Sequence, residues 1–300
     1  MNKNSSLPTK PIVLIHKGNS NYLPISLWQL VYTQNQGTPI YLIGNEDNAH
    51  FGSLVTHLSY NDFISEADAF TKAYKHYSTN GHDYELFCIQ RWFILKSVMK
   101  KYGWQSCIYL DSDIMAYTNL ADAPTAVMQA EMTVACISAH TNFINCYETL
   151  DLFCRFIIAI YSNPEAEIVL EKIYNENIKN DGGGGVSDMT MFTLFRKKYP
   201  EKIVDISTII ENQTYDITID YHNGYEMEDS FKKIYWQNNI PYCKVKNQDT
   251  LVKQNTLHFQ GSSKGRIADF QTKTNINFWI FYIKSLAIYY VQKVKKKFRK

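Results

Sequence analysis

Two aspartates separated by one serine, Asp111-Ser112-Asp113, follow the apolar run Ile108-Tyr109-Leu110. That run has the β-branched and aromatic character of a buried strand, which puts the acidic pair where the strand's carboxyl end meets solvent. Side chains alternate along a strand, so residues two apart face the same way. Asp111 and Asp113 can therefore converge on one divalent cation, or on a cation and a ribose. Ligands bind at this end of strands in open α/β sheets. A solvated strand end carries the same letters, so the meaning of the pair depends on what else the chain supplies.

Further residues of the right chemistry lie far away in sequence. In NTLHFQGSSKG, expected to be a loop, His258 offers a borderline metal ligand, Gly261 lets backbone approach closely, and Lys264 offers a point charge for a phosphate. Arg91 is a charge inside the mostly apolar helix YELFCIQRWFILKSVMKKYG. It is either a snorkelling surface residue or a clamp on a phosphate or sugar hydroxyl. Asp188 stands in the first turn of a helix that Ser187 can N-cap, after four consecutive glycines; it is a capping carboxylate or an active-site one. The glycine run lacks the lysine of a P-loop and the spacing of a dinucleotide fingerprint, so it serves close approach to a ligand or to a facing strand.

The elements that must hold these residues read as alternating strands and helices. PIVLIH is a buried strand and residues 22–34 an amphipathic helix with Asn21 as N-cap. TPIYLIGN is a second strand, and strand, helix, strand predicts a parallel sheet. His16 and Asn45 then sit at two strand ends, where they could hold a nucleotide base. Residues 62–77 are expected as an amphipathic helix, EMTVACIS as a strand, 141–161 as a buried helix, and 203–225 as short strands of undetermined order. The last stretch, NFWIFYIKSLAIYYVQKVKKKFRK, has basic residues at six of its final eight positions. Lys284 interrupts the apolar run, so the stretch suits lying on an anionic membrane surface. A core-packing helix with a solvated end and an RNA-binding tail are the alternatives.

Three hundred residues, 45% hydrophobic, suffice for a substantial α/β core and exclude wholesale disorder. A net charge of +2 gives no reason to expect a nucleic-acid partner. The six cysteines include no C-x-x-C pair and lie mostly in apolar runs, as buried thiols do in a reducing compartment. No signal-peptide pattern and no run of roughly 20 apolar residues is present. The expected localisation is cytoplasmic, peripherally attached to the inner face of the membrane.

Asp111-Ser112-Asp113 followed by His258-x-x-Gly261-x-x-Lys264 resembles the GT-A glycosyltransferases, specifically the family 8-like retaining enzymes, over residues 11 to 265. The resemblance implies a GT-A fold, a Rossmann-like mostly parallel central sheet flanked by helices. To this the chain adds the C-terminal amphipathic basic helix. Its implied organisation is a flexible tail over 1–10, a transferase domain over 11–270 with a nucleotide-binding half to about 120 and an acceptor half beyond, and a membrane-associating helix over 275–300. Asp111, Asp113 and His258 would ligate Mn²⁺ or Mg²⁺. His16, Asn45, Arg91, Asp111, Ser112, Gly261 and Lys264 would hold a nucleotide-diphosphate sugar such as a UDP-sugar. Asp188 and Arg91 would act in catalysis, and the acceptor would be a glycan or glycolipid hydroxyl. The chain differs from the family at Val186 and Ser187 and at Gly265 and Arg266, positions that bear on the donor sugar. A haloacid-dehalogenase-like phosphatase also starts from strand-D-x-D, but Met115 replaces the Thr or Val that chemistry wants. A non-catalytic nucleotide-sugar or glycan-binding module is the remaining alternative.

Overall fold

The computed structural model describes residues 10–34 and 37–298, so most of the expected N-terminal tail and the last two basic residues lie outside the described part. The chain runs through β1 (Ile12–Ile15), α1 (Leu23–Thr33), β2 (Ile40–Gly44) and β3 (Thr56–Ser59). It continues with α2 (Ser65–Thr71), α3 (His82–Tyr102), β4 (Cys107–Leu110) and β5 (Ile114–Ala116). Next come α4 (Thr125–Gln129), β6 (Met132–Val134), β7 (Thr141–Ile144), α5 (Tyr147–Ser162), α6 (Pro164–Asp181) and α7 (Asp188–Lys198). Short strands follow: β8 (Ile203–Asp205), β9 (Gln213–Thr214), β10 (Met227–Glu228), β11 (Phe231–Lys232) and β12 (Ile234–Gln237). β13 (Ile240–Lys244), β14 (Leu251–Gln254), β15 (Thr256–His258) and the terminal α8 (Ile276–Phe298) complete the chain.

The central sheet has the order β3-β2-β1-β4-β7, with the first four strands parallel and β7 antiparallel to β4. Alternation explains why its strands read as unbroken apolar runs. Ile12, Leu14, Ile108 and Leu110 face a cluster shared with α1, while Val13, Ile15, Cys107 and Tyr109 face another shared with α3, α5 and α7. Each such side chain, fully buried, contributes roughly 1.5–3 kcal/mol. This is a mixed α/β fold with a mostly parallel sheet covered on both faces.

Several elements differ from their sequence patterns. α1 begins beside Tyr22, with proline in its first turn and no side-chain cap, so Asn21 does not serve as the cap. The expected helix over 62–77 stops at Thr71, where the Gln90 amide donates to the Ala67 carbonyl and the Thr71 hydroxyl. Beyond it the chain extends to lie along the glycine run. Val186 N donates to Tyr77 O at 2.7 Å and Thr79 N to Gly184 O at 2.9 Å. Gly185 sits at φ +153, and a Cβ there would come within 2.2 Å of the Tyr77 carbonyl. The glycines thus admit a facing strand. Residues 141–144 are the sheet-edge strand β7 rather than the start of a helix, because their backbone groups complete the ladder of β4. α6, for which the residue pattern predicts no element, is N-capped by Asn163, whose Oδ1 accepts from Glu165 N.

α8 packs its inner face on the body. The rings of Phe278 and Phe281 lie 5.6 and 5.4 Å from that of Trp28 of α1, and Gln292 bonds both Asn19 and the Asp47 carbonyl. No helix among the described residues is long and apolar enough to cross a membrane.

Candidate active site

The acidic pair is presented by a turn. β4 ends at Leu110, and the Ile114 amide donates back to the Asp111 carbonyl at 3.2 Å, so Asp111 to Asp113 reverse the chain into β5. Strand alternation therefore does not align the two carboxylates; the tight turn does. Ser112 fastens it: its hydroxyl is 2.9 Å from His16 Nδ1, and its carbonyl accepts from the Ser26 hydroxyl at 2.6 Å. Burial, with the Lys264 charge assisting, pushes the His16 pKa down to about 4, so His16 is neutral.

His258 lies on β15 rather than in a loop. β15 pairs antiparallel with β5 so that His258 stands opposite Ile114, and Phe259 N donates to the Asp113 carbonyl. The imidazole is gripped from behind. Its Nδ1 lies 2.6 Å from the Ile217 carbonyl, which can only accept, so the proton is on Nδ1 and Nε2 faces Asp113 Oδ1 at 3.7 Å. The His258 amide donates to Asp216 Oδ2, whose other oxygen pairs with the fully buried Lys232. The ring of His140, buried and held neutral by that burial, lies 4.0 Å from that of His258, and its backbone carbonyl accepts from Asp111 N. Ligand atoms of Asp111, Asp113 and His258 all fall within 4.8 Å of one another. Two carboxylates and an imidazole of that spread form a donor set suited to Mn²⁺ or Mg²⁺.

Two cations already serve this acidic centre. Lys264 Nζ is 3.0 Å from Asp113 Oδ2; burial opposes its charge, but Asp113, Tyr22 and Asp111 together raise its pKa. Gly261, at φ +57, opens the short 3₁₀ segment that carries Lys264, and no protein atom would crowd a Cβ there. Arg91 spans Asp111 Oδ1 at 2.6 Å and Asp188 Oδ2 at 2.5 Å. Burial alone would depress its pKa, but the two aspartates hold it well above the ordinary value. Asp188 also accepts from the indole nitrogen of Trp92, and Asp111 from the Tyr109 hydroxyl at 2.6 Å. Ser187 caps α7, Thr190 closes a capping box, and Asp188 in the first turn is aimed at Arg91.

The centre divides a cleft into two lobes. One, about 400 Å³, is lined by Ile15, His16, Lys17, Tyr22, Phe87 and Ser112. The other, about 370 Å³, is lined by Asn80, Glu85, Ser138, Ser187, Asp188 and Gly261. Tyr84, Cys88, Arg91, Asp111, Asp113 and Lys264 line both. Of the sequence-derived residues only Asn45 is missing from either wall. Its carboxamide accepts from Gly18 N and donates to Asp47, so it shapes the turn after β1 instead of meeting a base. Tyr22, Tyr84 and Glu85 carry no motif that singles them out; Tyr84 and Cys88 lie seven and three residues before Arg91, on the helix face that Arg91 defines. Burial pushes the Cys88 thiol up to about 12, with Arg91 opposing, so no thiolate serves the cleft. A larger, wide-open hollow of about 970 Å³ at the amino ends of β2 and β3 holds no comparable cluster.

No protein-family model matches the chain, and no curated protein does. Among solved structures the fold is similar to the apo form of the glycosyltransferase GlyE from Streptococcus pneumoniae TIGR4, at 12% identity and TM-score 0.41 over 93% of this chain and 64% of that one. It is similar to the bifunctional glycosyltransferase WbbM, at 12% and 0.43 over 93% of this chain and 52% of that one. It is also similar to an active-site mutant of LgtC, at 10% and 0.43 over 91% of this chain and 99% of that one. The chain spans less than two thirds of the length of the first two.

The geometry makes two behaviours measurable. Arg91→Met leaves buried Asp188 and partly buried Asp111 without their cation and is expected to cost about 3 kcal/mol in urea denaturation; Arg91→Lys, unable to span both, should recover only part. A loss below about 1 kcal/mol for Arg91→Met, the scale of an exposed pair, would show that the bridge is not a structural tie. Because the folded pKa of His16 lies near 4, below its unfolded value of about 6.5, the unfolded chain binds the extra proton as pH falls. Stability should thus decline between about pH 6.5 and 4 by up to about 3 kcal/mol on this account, and His16→Asn should flatten that part of the curve.

Proposed function

We propose that the protein is a metal-dependent glycosyltransferase of GT-A architecture, whose cleft takes a nucleotide-diphosphate sugar, a UDP-sugar first among them, and a hydroxyl of a glycan or glycolipid. The observation that carries the reading is the convergence of Asp111, Asp113 and His258 with Lys264 and the Arg91–Asp188 bridge at the carboxyl edge of the sheet. In this reading residues 11–120 hold the nucleotide and 121–270 the acceptor. Tyr22, Ile15 and Phe87 give the first lobe apolar surface for a base, and the second lobe takes the sugar.

Asp111, Asp113 and His258 would hold Mn²⁺ or Mg²⁺, and the ion, when bound, supplies positive charge to the diphosphate. The bond between the sugar's anomeric carbon and the diphosphate breaks, the acceptor oxygen bonds to that carbon, and its proton passes to the departing phosphate. Lys264 adds a second positive charge where negative charge develops. Arg91 holds Asp188 in place, so that its carboxylate can steady the electron-poor sugar. With the acceptor attacking on the face the diphosphate leaves, configuration is retained.

The outward face of α8 supports attachment to a membrane surface. Ile276, Trp279, Ile283, Val291 and Phe298 are exposed on it, with Lys284, Lys293, Lys295 and Lys297 alongside. An apolar stripe bordered by lysines suits an anionic cytoplasmic leaflet.

Donor hydrolysis should require added Mn²⁺ or Mg²⁺ and fall by at least about 100-fold in Asp113→Ala, the scale of losing an electrostatic catalytic group; turnover unaffected by both chelation and this substitution would reject the mechanism. For the membrane reading, the full chain should co-sediment with anionic vesicles, and the pair Trp279→Asp and Ile283→Asp, which leaves the packed face intact, should abolish it. Equal sedimentation of wild type and variant would sink that part.

A further inference from the structure

Glu85 is only 3% exposed, lines the second lobe of the cleft, and pairs with no lysine or arginine among the described residues. Its Oε1 accepts from the Ser78 hydroxyl at 3.1 Å and from the Asn80 amide at 2.6 Å. These two bonds tie α3 to the strand that lies on the glycine run. They leave Oε2 without a hydrogen-bond partner among the described residues, and that oxygen is not sealed from solvent. A carboxylate oxygen that the fold leaves unpaired at a cleft wall is free to accept a hydrogen bond from a ligand.

The surrounding charges narrow what can supply it. Glu85, Asp111, Asp113 and Asp188 contribute four carboxylates to this lobe. Its cations are engaged: Arg91 with Asp111 and Asp188, and Lys264 with Asp113. A ligand carboxylate entering here would meet like charge with no free cation, whereas a hydroxyl can donate to Oε2 directly.

Resting on the transferase reading, we propose that Glu85 is a specificity-determining residue of the donor-sugar subsite: it accepts a hydroxyl hydrogen bond from a neutral hexosyl group and turns away donors whose sugar carries a carboxylate. Ser78 and Asn80 position it, and Gly185 permits the backbone approach that places them.

The test uses the full chain with Mn²⁺ in calorimetry. UDP, GDP, ADP, CDP and dTDP first identify the nucleoside diphosphate that binds. Its glucose, galactose and mannose derivatives are then compared with its glucuronate and galacturonate. At least one neutral hexose derivative should bind about tenfold or more tighter than the matching uronate, the discrimination expected of a site built to bond a hydroxyl. Glu85→Gln keeps the oxygen that serves Ser78 and Asn80 and replaces only Oε2 by an amide donor. It should weaken the hexose derivative about tenfold, bring the two classes within about threefold, and leave the bare diphosphate within about twofold. Uronates binding as tightly as hexoses to the wild type, or a Glu85→Gln variant with unchanged selectivity, overturns the assignment and leaves the transferase reading standing. Failure of every diphosphate to bind overturns that reading, and this one with it. If Glu85→Gln does not fold, the wild-type ranking of hexose against uronate decides.

Discussion

One guanidinium joins the parts of this protein that carry chemistry. Arg91 on α3 holds Asp111, at the end of β4, and Asp188, at the start of α7. Each is largely removed from water, so none of the three charges could stay where it is without the others. The bridge fixes the distance between the sheet edge and the α7 N-terminus, and with it the width of the second lobe. It also leaves the second lobe electrically unbalanced, because Asp111, Asp113, Asp188 and Glu85 face only Arg91 and Lys264 there. Two further positive charges would balance the set, which is what one divalent cation brings.

A second constraint delivers the imidazole. His258 depends on a ladder of three residue pairs between β5 and β15, and on segment 216–219 wrapping it from behind. The wrap is itself anchored by the Asp216–Lys232 pair, which has almost no exposed surface. Buried pairs of this kind often add little net stability, but they strongly disfavour any arrangement that separates them. Here the penalty falls on misplacing the carbonyl that orients the His258 ring. The small β10–β11 hairpin, remote from the acidic pair in sequence, thereby takes part in shaping the cleft through Lys232.

Much of this was legible in the residue order, and the exceptions have physical causes. Strands buried on both faces announce themselves as apolar runs, so β1, β2 and β4 were readable, as were α3 with its charged interior residue and the Ser187 cap before Asp188. What local pattern does not encode is where a backbone goes to satisfy its hydrogen bonds. Residues 141–144 read as helical because they are apolar and precede a helix, yet the open edge of β4 claims them. Residues 72–77 keep helical spacing, yet the glycine run offers them a partner across which only glycine can pass. Asn45 had the right chemistry for a ligand, but its amide is engaged by the turn it belongs to. Glu85 was hidden for the opposite reason: a glutamate in the first turns of a helix is ordinary, and only the partners of one of its oxygens show that the other is free.

The placement of α8 bears on the proposed acceptor. Its C-terminal half is fastened to the loops that follow β1 and β2, through Gln292 to Asn19 and through Gln292 and Lys296 to Asp47. Those loops leave the same edge of the sheet from which Asp111 and Asp113 project, and Tyr22, at the start of the helix under α8, lines the cleft. A membrane met by the exposed side of α8 would therefore lie beside the cleft's own edge rather than behind the sheet. An acceptor diffusing in that surface would have a short path to the second lobe, whereas one in bulk water would gain nothing from the helix. If α8 meets a membrane as proposed, its position, more than its composition, would favour a lipid-borne acceptor over a free glycan.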